Sequence, residues 1–512
     1  MSAPRPTTLR GTALGDLAAL LDTSVPDDDV VVTGVTLDSR AVRRGDLYAA
    51  LPGSRAHGAE FAPDAVASGA SAVLTDAPGA ELVAAAGLAL PVLVVASPRS
   101  VLGAVAARVL GTEGTPLRML GITGTNGKTT TAHLVDSALR ELGRRPGLIG
   151  TVETRIGDER LESVRTTPEA PELHAILAVM AERDLDTCVM EVSSHALAQH
   201  RVDGVVYDVA LFTNLSQDHL DFHPGMEEYF EAKADLFTPR RSRLGLVCTD
   251  DEWGRRLARV ASVPVETIGS TGDPDWQILV GAEDPSRFRL LGRGLDLHLR
   301  SSLPGSFNVT NTAMAAAALV MLGEDPRLVE RAVTSDPHVP GRMERVSGGG
   351  ADEPRAVVDY AHTPEAIRAA LTALRPTTEG RLVCVTGAGG DRDRDKRLGM
   401  GEAAAEVADL VVVTDDNPRS EDPATIRAAI LAGVERIRST GRPVEVLEVG
   451  DRRAAIRAAV AAVAGDPAAT VAVVGKGHET GQEISGVVHP FDDRRELRDA
   501  LLGADGVGGG SR

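Results

Sequence analysis

The stretch Met119-Leu-Gly-Ile-Thr-Gly-Thr-Asn-Gly-Lys-Thr-Thr decides the fold class of this 512-residue chain. It begins as an apolar, β-branched run and continues into a helical pattern that ends at Gly143. The apolar stripe of that pattern consists of Leu134, Val135, Ala138, Leu139 and Leu142. A glycine-rich turn between a strand and a helix points backbone N–H groups and the helix dipole at one spot, which favours phosphate. The stretch therefore predicts a nucleoside triphosphate site.

The spacing of the glycines departs from the strict phosphate-loop pattern, because Ile122 stands where that pattern has its first glycine. Gly124 and Gly127 let the backbone curl, Lys128 adds a point charge, and Thr129 offers a hydroxyl to Mg²⁺. The alternative is a glycine-rich turn without a ligand. The position of Gly-Lys-Thr at a strand-to-helix junction favours ATP or GTP binding, but the loop alone does not name a reaction.

Short β-branched runs alternate with Ala- and Leu-rich helical patterns along the rest of the chain. Such alternation predicts parallel sheets covered by helices, and the length predicts three domains. Breaks fall in the Gly- and Pro-bearing segments 111–116 and 340–341. We predict an α/β protein with an α/β N-terminal domain at 1–113, a central domain with a mostly parallel P-loop-type sheet at 114–340, and a Rossmann-like C-terminal domain at 341–512.

Composition narrows the function classes. The formal net charge of −19 argues against non-specific binding to nucleic acid. Cys188, Cys248 and Cys384 form no CxxC pair, so neither a disulfide framework nor a structural zinc site follows. Asp16 and Asp22 interrupt the early apolar stretch, and the longest apolar run, residues 82–96, is too short to span a bilayer. We expect a cytoplasmic protein without a membrane span, and a monomer.

Two further motifs follow the phosphate loop: Glu191-Val-Ser-Ser-His, at the end of an apolar run, and Asn214-Leu-Ser-Gln-Asp-His-Leu-Asp. Together with Gly124-Thr-Asn-Gly-Lys-Thr-Thr they resemble the Mur ligase family, and the resemblance extends from Leu37 to Arg495. It is strongest to the branch that adds the third residue of the peptide. The resemblance implies ATP-dependent attachment of an amino acid to a UDP-muramoyl peptide through an acyl-phosphate, with release of ADP and phosphate, during synthesis of cell-wall peptidoglycan.

Such chemistry concentrates negative charge, so the site should hold metal ions and cationic donors. An acid at the carboxyl end of a strand, such as Glu191, suits Mg²⁺, although it could also be a surface acid. The resemblance implies that His219 ligates a second Mg²⁺ and that Lys233 is carbamylated by CO₂ to help hold it. The catalytic residues would be Lys128, Glu191, His219 and Lys233, and the metal ligands Thr129, Glu191, His219 and the carbamate of Lys233.

The nucleotide would be ATP, and its predicted contacts continue beyond the phosphate loop. Asn308, at a helix start, can read a purine edge or act as an N-cap. The resemblance implies that Arg342, in the Pro340-Gly-Arg-Met-Glu hinge, reaches the phosphates when the domains close. Asp359 at a strand end suits ribose hydroxyls. The full predicted set is Gly124, Thr125, Asn126, Gly127, Lys128, Thr129, Thr130, Asn308, Arg342 and Asp359.

The acceptor implied by the resemblance is UDP-N-acetylmuramoyl-L-alanyl-D-glutamate. Short polar loops are common, so these assignments depend on the resemblance, and Arg165 stands where relatives often carry Asn. The predicted contacts are Leu37, Ser39, Ser54, Arg55, Ala56, Thr166, Thr167, Ser193, Gln199 and Arg201.

Three charged loops at strand ends of the C-terminal domain should converge on the incoming amino acid. Meso-diaminopimelate ends in a zwitterion, whose carboxylate needs an arginine and whose ammonium needs an acid. Arg419 and Glu479 supply one of each, and Asp416-Asn-Pro-Arg resembles the form found in diaminopimelate-adding members. The predicted contacts are Arg392, Asp416, Asn417, Pro418, Arg419, Gly475 and Glu479. The lysine-adding version, folylpolyglutamate synthase and a non-catalytic nucleotide-gated protein remain as alternatives.

Overall fold

The computed structural model describes residues 4–8, 11–25, 27–163, 165–335, 337–350 and 353–505. Strands and helices alternate and build three large sheets in succession, which confirms the predicted α/β class with three domains. The boundaries at 113/114 and 340/341 stay a prediction. No helix within these described ranges is both long enough and apolar enough to cross a membrane.

The N-terminal part is a four-stranded parallel sheet, in the order β3-β4-β5-β6, with a small antiparallel pair β1-β2 beside it. The strands are β1 (Thr12–Ala13), β2 (Val31–Val32), β3 (Gly34–Thr36), β4 (Asp46–Ala49), β5 (Ala72–Thr75) and β6 (Val92–Val94). The helices are α1 (Leu14–Leu20), α2 (Ala62–Ala67), α3 (Ala77–Ala85) and α4 (Pro98–Leu110). Buried Leu and Val side chains from the sheet, α1 and α4 form one core.

The central part holds an 11-stranded sheet in the order β10-β9-β8-β11-β7-β12-β13-β14-β15-β16-β17. Its strands are β7 (Arg118–Thr123), β8 (Pro146–Ile149), β9 (Glu153–Ile156), β10 (Glu159–Glu162), β11 (Thr187–Glu191), β12 (Tyr207–Phe212), β13 (Ser242–Cys248), β14 (Val265–Gly269), β15 (Trp276–Val280), β16 (Arg287–Gly292) and β17 (Leu295–Arg300). Its helices are α5 (Lys128–Glu141), α6 (Ala170–Glu182), α7 (Ser194–Ala198), α8 (Met226–Ala234), α9 (Glu252–Val260), α10 (Ser306–Met321) and α11 (Pro326–Ala332). The seven neighbouring strands β8-β11-β7-β12-β13-β14-β15 pair in parallel. An apolar core lies on each face of the sheet.

The C-terminal part is a six-stranded sheet in the order β18-β19-β23-β20-β21-β22, with a separate hairpin β24-β25. Its strands are β18 (Glu344–Val346), β19 (Arg355–Asp359), β20 (Leu382–Thr386), β21 (Leu410–Val413), β22 (Glu445–Glu448), β23 (Thr470–Val474), β24 (Gly481–Ile484) and β25 (Val487–Pro490). Its helices are α12 (Pro364–Leu374), α13 (Lys396–Val407), α14 (Pro423–Arg438), α15 (Arg452–Ala461) and α16 (Asp493–Asp505). Only β18 is antiparallel to its neighbour in the described six-stranded sheet.

The strand order decides which loops meet. In the central sheet β7 and β11 pair in parallel with Glu191 opposite Ile122, so the phosphate loop and Glu191 leave the same edge. In the C-terminal sheet β23 lies between β19 and β20, and β21 follows β20. The loops after these four strands therefore emerge side by side, where open α/β sheets bind ligands.

Candidate active site

The phosphate loop lies at the carboxyl end of β7 and ends where α5 begins. The Lys128 ammonium curls back onto the loop and donates to the carbonyls of Gly124, at 2.9 Å, and Thr125, at 2.8 Å. Burial lowers the pKa of Lys128, while Glu191 and Asp218 act in the opposite direction. The Asn126 N–H donates to Asn214 Oδ1 at 2.9 Å, so the Asn214 motif braces the loop. Lys128 is therefore held where phosphate oxygens would meet it.

Glu191 is 1% exposed and its carboxylate is surrounded by threonine donors. The Thr129 hydroxyl donates to Glu191 Oε2 at 2.9 Å. Thr151 donates twice, from its N–H to Oε1 at 2.8 Å and from its hydroxyl to Oε2 at 3.0 Å. Glu191 is thus a buried acceptor that faces the start of α5, and the alternative of a surface acid is excluded.

A second group of side chains lies beside the loop. Lys233 on α8 is 1% exposed, donates to the Gly124 carbonyl at 2.9 Å and packs 4.6 Å from the Tyr229 ring centre. Burial, reinforced by the charge of Lys128, holds the pKa of Lys233 well below its usual range. Burial likewise lowers the pKa of His219 to about 3, although Asp218 opposes this. The His219 ring is consequently neutral near pH 7, as a metal ligand must be, and Lys233 gives up its proton more readily than an exposed lysine does.

The residues present fit Mg²⁺. No cluster of three or more His, Cys, Asp or Glu side chains that could hold a metal occurs in the described ranges. Mg²⁺ usually takes only one or two protein oxygens and completes its shell with phosphate oxygens and water. The Thr129 hydroxyl and the Glu191 carboxylate, 2.9 Å apart beside the phosphate loop, match that pattern.

The hinge and the C-terminal domain close one side of this site. Arg342 lies 4.3 Å from the Tyr360 ring centre and donates to the Thr129 hydroxyl at 3.1 Å. Across the cleft, Asp218 faces Lys396 at 3.4 Å and His362 at 3.7 Å. The two domains are therefore in contact around the phosphate loop.

Together these elements enclose a cavity of about 540 Å³. It is lined by both domains and brings together most of the predicted nucleotide and catalytic residues, namely Thr125, Asn126, Gly127, Lys128, Thr129, Thr130, Glu191, His219, Asn308, Arg342 and Asp359. Thr166 and Ser193 also line it. Gly124 and Lys233 adjoin the cavity through the Gly124 carbonyl.

Two of the residues predicted to contact the nucleotide have structural partners of their own. Asn308 is the third residue of α10, whose N-cap is Gly305, so the N-cap alternative for Asn308 is wrong. Its amide donates to the Pro304 carbonyl at 2.7 Å. Asp359 accepts from the N–H groups of Met343, at 2.7 Å, and Ala361, at 2.8 Å, which ties the hinge to β19.

The predicted contacts to the acceptor peptide divide into two groups. The hydroxyl oxygens of Thr166 and Thr151 lie 3.1 Å apart, and Thr167 donates to the Glu191 carbonyl at 2.9 Å, so both adjoin Glu191. Arg201 instead pairs with Glu169 at 3.0 Å and donates to the side chain of Gln199. A substrate carboxylate would have to share the Arg201 guanidinium with Glu169.

The predicted uridine contacts lie in the N-terminal domain and outside the described lining of the cavity. Ser39 opens a short 3-10 turn, Ser39–Ala41, and Leu37 packs against the apolar core beside it. Ser54 and Arg55 are exposed and Ala56 is half-buried, in a loop that an isolated bridge between Pro52 and His57 closes. Their role stays a prediction.

The residues predicted to bind the incoming amino acid lie together in the loops after β20, β21 and β23. The Asn417 amide donates to Glu479 Oε2 at 3.0 Å. Arg419, at a positive φ of 50°, pairs with Glu483 at 3.2 Å and donates to the Gly390 carbonyl at 2.7 Å. A Cβ on Gly389 would lie 2.9 Å from the Arg419 guanidinium and 3.7 Å from Arg392, so the two arginines share one neighbour.

Several residues at the site went unassigned in the sequence. Thr151 lies two residues after the end of β8, so the rule that ligands bind at strand ends could have found it. Asp218 precedes His219 in the Asn214-Leu-Ser-Gln-Asp-His-Leu-Asp motif, and Lys476 directly follows Gly475, a predicted contact to the amino acid. Nothing in the sequence distinguished Lys396 as a site residue, because it is one of many charged residues in its segment.

The architecture is that of an enzyme with a nucleotide-phosphate site between two α/β domains. Family comparisons match three segments: residues 31–109 match the Mur ligase family, catalytic domain; 122–319 match the Mur ligase middle domain; and 341–477 match the Mur ligase, glutamate ligase domain.

Whole-chain comparisons agree. The chain is 54% identical over 511 residues to the UDP-N-acetylmuramoyl-L-alanyl-D-glutamate–2,6-diaminopimelate ligase of Streptomyces coelicolor, covering 98% of this chain and 99% of the relative. It is 48% identical over 480 residues to the protein of the same name in Corynebacterium glutamicum, covering 92% of each. A solved structure of a ligase of that name matches with a TM-score of 0.66 and 32% identity, covering 97% of this chain and 100% of that one. The chain belongs to the Mur ligase family, whose members are ATP-dependent, ADP-forming amide ligases.

Proposed function

We propose that this protein joins meso-diaminopimelate to the D-glutamate carboxyl group of UDP-N-acetylmuramoyl-L-alanyl-D-glutamate, in the synthesis of the peptidoglycan precursor. The observation that carries the proposal is the shared cavity in which Lys128, Glu191 and the hinge residue Arg342 meet. Relatives that bear the name of this activity align over nearly their whole length, which supports the same choice of substrates.

The reaction proceeds in two balanced steps. A carboxylate oxygen of the acceptor attacks the γ-phosphorus of ATP, which forms an acyl-phosphate and releases ADP. The neutral amine of diaminopimelate then attacks the acyl carbon and forms the carbon–nitrogen bond of the amide. The bond from the acyl carbon to the phosphate-bearing oxygen breaks, phosphate leaves, and the amine nitrogen gives up one proton. Lys128 and Arg342 bring fixed positive charge to the phosphates, and the contact between the domains excludes water that would hydrolyse the acyl-phosphate.

Bound Mg²⁺ would neutralise charge on the phosphates. Thr129 and Glu191 would hold one ion, and His219 with a modified Lys233 would hold a second. Asp218 and Tyr229 adjoin His219 and Lys233 and keep these side chains in place.

Lys233 is the modified residue in this proposal. Its unprotonated amine attacks the carbon of CO₂, forms a nitrogen–carbon bond and releases one proton, which replaces a would-be cation by a carbamate anion. Protein equilibrated with ¹³C-labelled bicarbonate should show a carbamate signal in ¹³C NMR that Lys233→Met lacks. An identical spectrum for the two proteins would rule the modification out.

The choice of amino acid rests on Arg419 for the distal carboxylate and Glu479 for the distal ammonium. Arg419→Ala should weaken diaminopimelate binding by about 2–4 kcal/mol, the scale for breaking a desolvated charge pair. The lysine-adding alternative predicts instead that lysine serves equally well. Saturation curves for diaminopimelate, lysine and ornithine, on the wild type and on Arg419→Ala, separate the two.

The proposed function as a whole is tested by phosphate release. We expect release from ATP only when UDP-N-acetylmuramoyl-L-alanyl-D-glutamate and diaminopimelate are both present. Release driven by a folate and glutamate would support folylpolyglutamate synthase, and nucleotide binding without turnover would support a nucleotide-gated protein. The three free, buried cysteines are consistent with a location in the reducing cytoplasm. We also propose that the protein is a monomer.

A further inference from the structure

Lysine is rare in this protein. The sequence contains only four lysines among its 54 lysine and arginine residues. Lys128 and Lys233 contact the Gly124 carbonyl, and Lys396 faces Asp218 across the cleft. The fourth, Lys476, lies in the loop after β23 and has no part in the chemistry described above. In a chain that otherwise uses arginine, its position calls for an explanation.

Lys476 is fully buried and joins two loops of the amino-acid pocket. Its ammonium donates to Asn417 Oδ1 at 3.0 Å and to Glu479 Oε2 at 3.0 Å, and lies 3.4 Å from Asp416 Oδ1. Asn417 in turn donates to the same Glu479 oxygen and accepts from the Glu483 N–H at 2.9 Å. One ammonium thus fixes side chains that reach the pocket from the loops after β21 and β23.

In the part of the chain that the structure describes, one carboxylate near Lys476 has no cation to balance its charge. Below it, Arg452 is buried, pairs with Asp493 at 2.7 Å and lies 4.0 Å from Asp416. Burial raises the pKa of Asp416, but Lys476 and Arg452 outweigh it and hold that pKa below its usual value. Two cations therefore face three carboxylates. The remaining negative charge belongs to Glu479, which is 33% exposed and whose Oε1 accepts no hydrogen bond from the described residues.

We propose that Lys476 is a positioning residue that presents the free oxygen of Glu479 to the ammonium at the far end of the incoming amino acid. The proposal rests on the proposed function and deepens it. Lys476 occupies Oε2 of Glu479 together with Asn417, so Oε1 alone is left to bind the substrate cation. Specificity for an amino acid with a distal ammonium then depends on a lysine that never touches the substrate.

The packing around Lys476 explains why an arginine does not serve. The neighbouring Gly475 has a φ of +119°, and a Cβ there would lie 2.6 Å from Asp416 Oδ2. Three acceptors converge within 3.4 Å of one nitrogen, which suits a compact ammonium and not a planar guanidinium fork.

The test is the variant Lys476→Met, which keeps the length of the side chain and removes its donors. We expect the KM for diaminopimelate to rise roughly 10- to 100-fold, while the KM values for ATP and for the UDP-linked acceptor stay within about twofold. An unchanged KM for diaminopimelate would overturn the proposal, and so would an equal rise of all three KM values.

A double-mutant cycle separates positioning from general support. Glu479→Gln and the charge-balanced double variant Lys476→Met/Glu479→Gln should share one KM for diaminopimelate, since Lys476 acts through Glu479. Additive losses would contradict this. The double variant also removes one cation and one anion together, so it keeps the proposal testable if Lys476→Met alone fails to fold.

The matched control is Arg375→Met, which breaks an ion pair with Asp409, 2.7 Å long, at the opposite end of the same sheet. It should change the melting temperature and leave the KM for diaminopimelate unaltered. If wild-type protein uses lysine in place of diaminopimelate, the proposed amino acid fails. The same variants are then measured with lysine, which also ends in an ammonium, and Lys476 is still tested.

Discussion

Glu191 combines a structural role in the described fold with a proposed role in the chemistry. Glu191 is the last residue of β11, and its carboxylate accepts hydrogen bonds from Thr129 and Thr151, so it joins the start of α5 to the loop after β8. Three hydrogen-bond donors hold this buried carboxylate in one orientation. The carboxylate is therefore already oriented for a metal ion or phosphates before they bind.

Glu191→Gln tests that role at the residue scale. The amide keeps the shape and loses the negative charge, so ATP-dependent phosphate release should fall by roughly 10²–10³-fold. Glu153→Gln is the control, because Glu153 is also buried, at 9% exposure, and pairs with Arg155 on the adjacent hairpin. Turnover measured for both variants, with melting temperatures alongside, decides the matter; equal turnover of the two would remove Glu191 from the site.

At the scale of elements, the loops that follow parallel strands build the site and depend on close backbone contacts. The hinge turn before β18 meets the loop after β23, since a Cβ on Gly341 would lie 2.1 Å from the backbone nitrogen of His478. Gly341 also has a φ of +64°, where a side chain is strained. The hinge is thus packed directly against the loop that carries Lys476 and Glu479.

Gly341→Ala should therefore separate the hinge from that loop and move Arg342 away from Thr129. We expect the KM for ATP to rise and kcat to fall, each by roughly tenfold or more, because the hinge no longer sets the closed arrangement. Gly323→Ala is the matched control: its φ is +91°, and a Cβ there meets open space. Steady-state kinetics of the two variants separate the clash with His478 from the backbone strain that both substitutions cause. Equal changes of KM and kcat in the two variants would refute the role of the hinge contact.

At the scale of the whole molecule, the C-terminal domain closes over the central domain through few charged contacts. The Lys396 ammonium lies 3.4 Å from Asp218 Oδ1, and both side chains are at most 10% exposed. Burial raises the pKa of Asp218, but the hydrogen bond from His362 and the charge of Lys396 hold that pKa well below its usual range. The contact between the two domains consequently includes a buried ion pair.

Lys396→Met should weaken closure. We expect the ligand-dependent decrease in the radius of gyration, measured by small-angle X-ray scattering with ATP and acceptor, to diminish, and kcat to fall roughly tenfold. Arg394→Met, two residues earlier and 70% exposed on its side chain, should behave as the wild type. Normal compaction in Lys396→Met would show that closure does not need this pair.

The junction between the N-terminal and central parts should respond to pH. His174 on α6 is fully buried, with Thr112 at 2.6 Å from Nδ1 and the Asp203 carbonyl at 2.9 Å from Nε2. Burial lowers the pKa of His174 from 6.5 to about 4. The unfolded chain therefore binds this proton first, and the free energy of unfolding falls by up to about 3 kcal/mol as pH drops from 6.5 to 4.

His174→Gln, which does not titrate, should flatten the loss of stability over that range. Urea unfolding at a series of pH values measures the slope. His298→Gln is the control, since the His298 side chain is 67% exposed on β17 and its removal should leave the slope unchanged. The same slope in His174→Gln as in the wild type would contradict the assignment.

Local sequence determined the fold class and the phosphate loop, because periodicity and glycine act over a few residues. The run that ends at Glu191 was recognisable as a buried strand, and Gly-Lys-Thr marked the start of α5. Asn308 was harder, since the same residue type caps helices or follows a cap, and only the backbone of Gly305 distinguishes the two.

Only the tertiary structure decided which residues share the site. Lys396 meets Asp218 from 178 positions away, and Lys476 meets Asn417 from 59 positions away. Arg201, predicted to bind substrate, already pairs with Glu169. Such partners depend on the order of strands within the sheets and on how two domains pack, and neither is encoded in a local pattern, because hydrogen bonds and charges act through space while sequence motifs act along the chain.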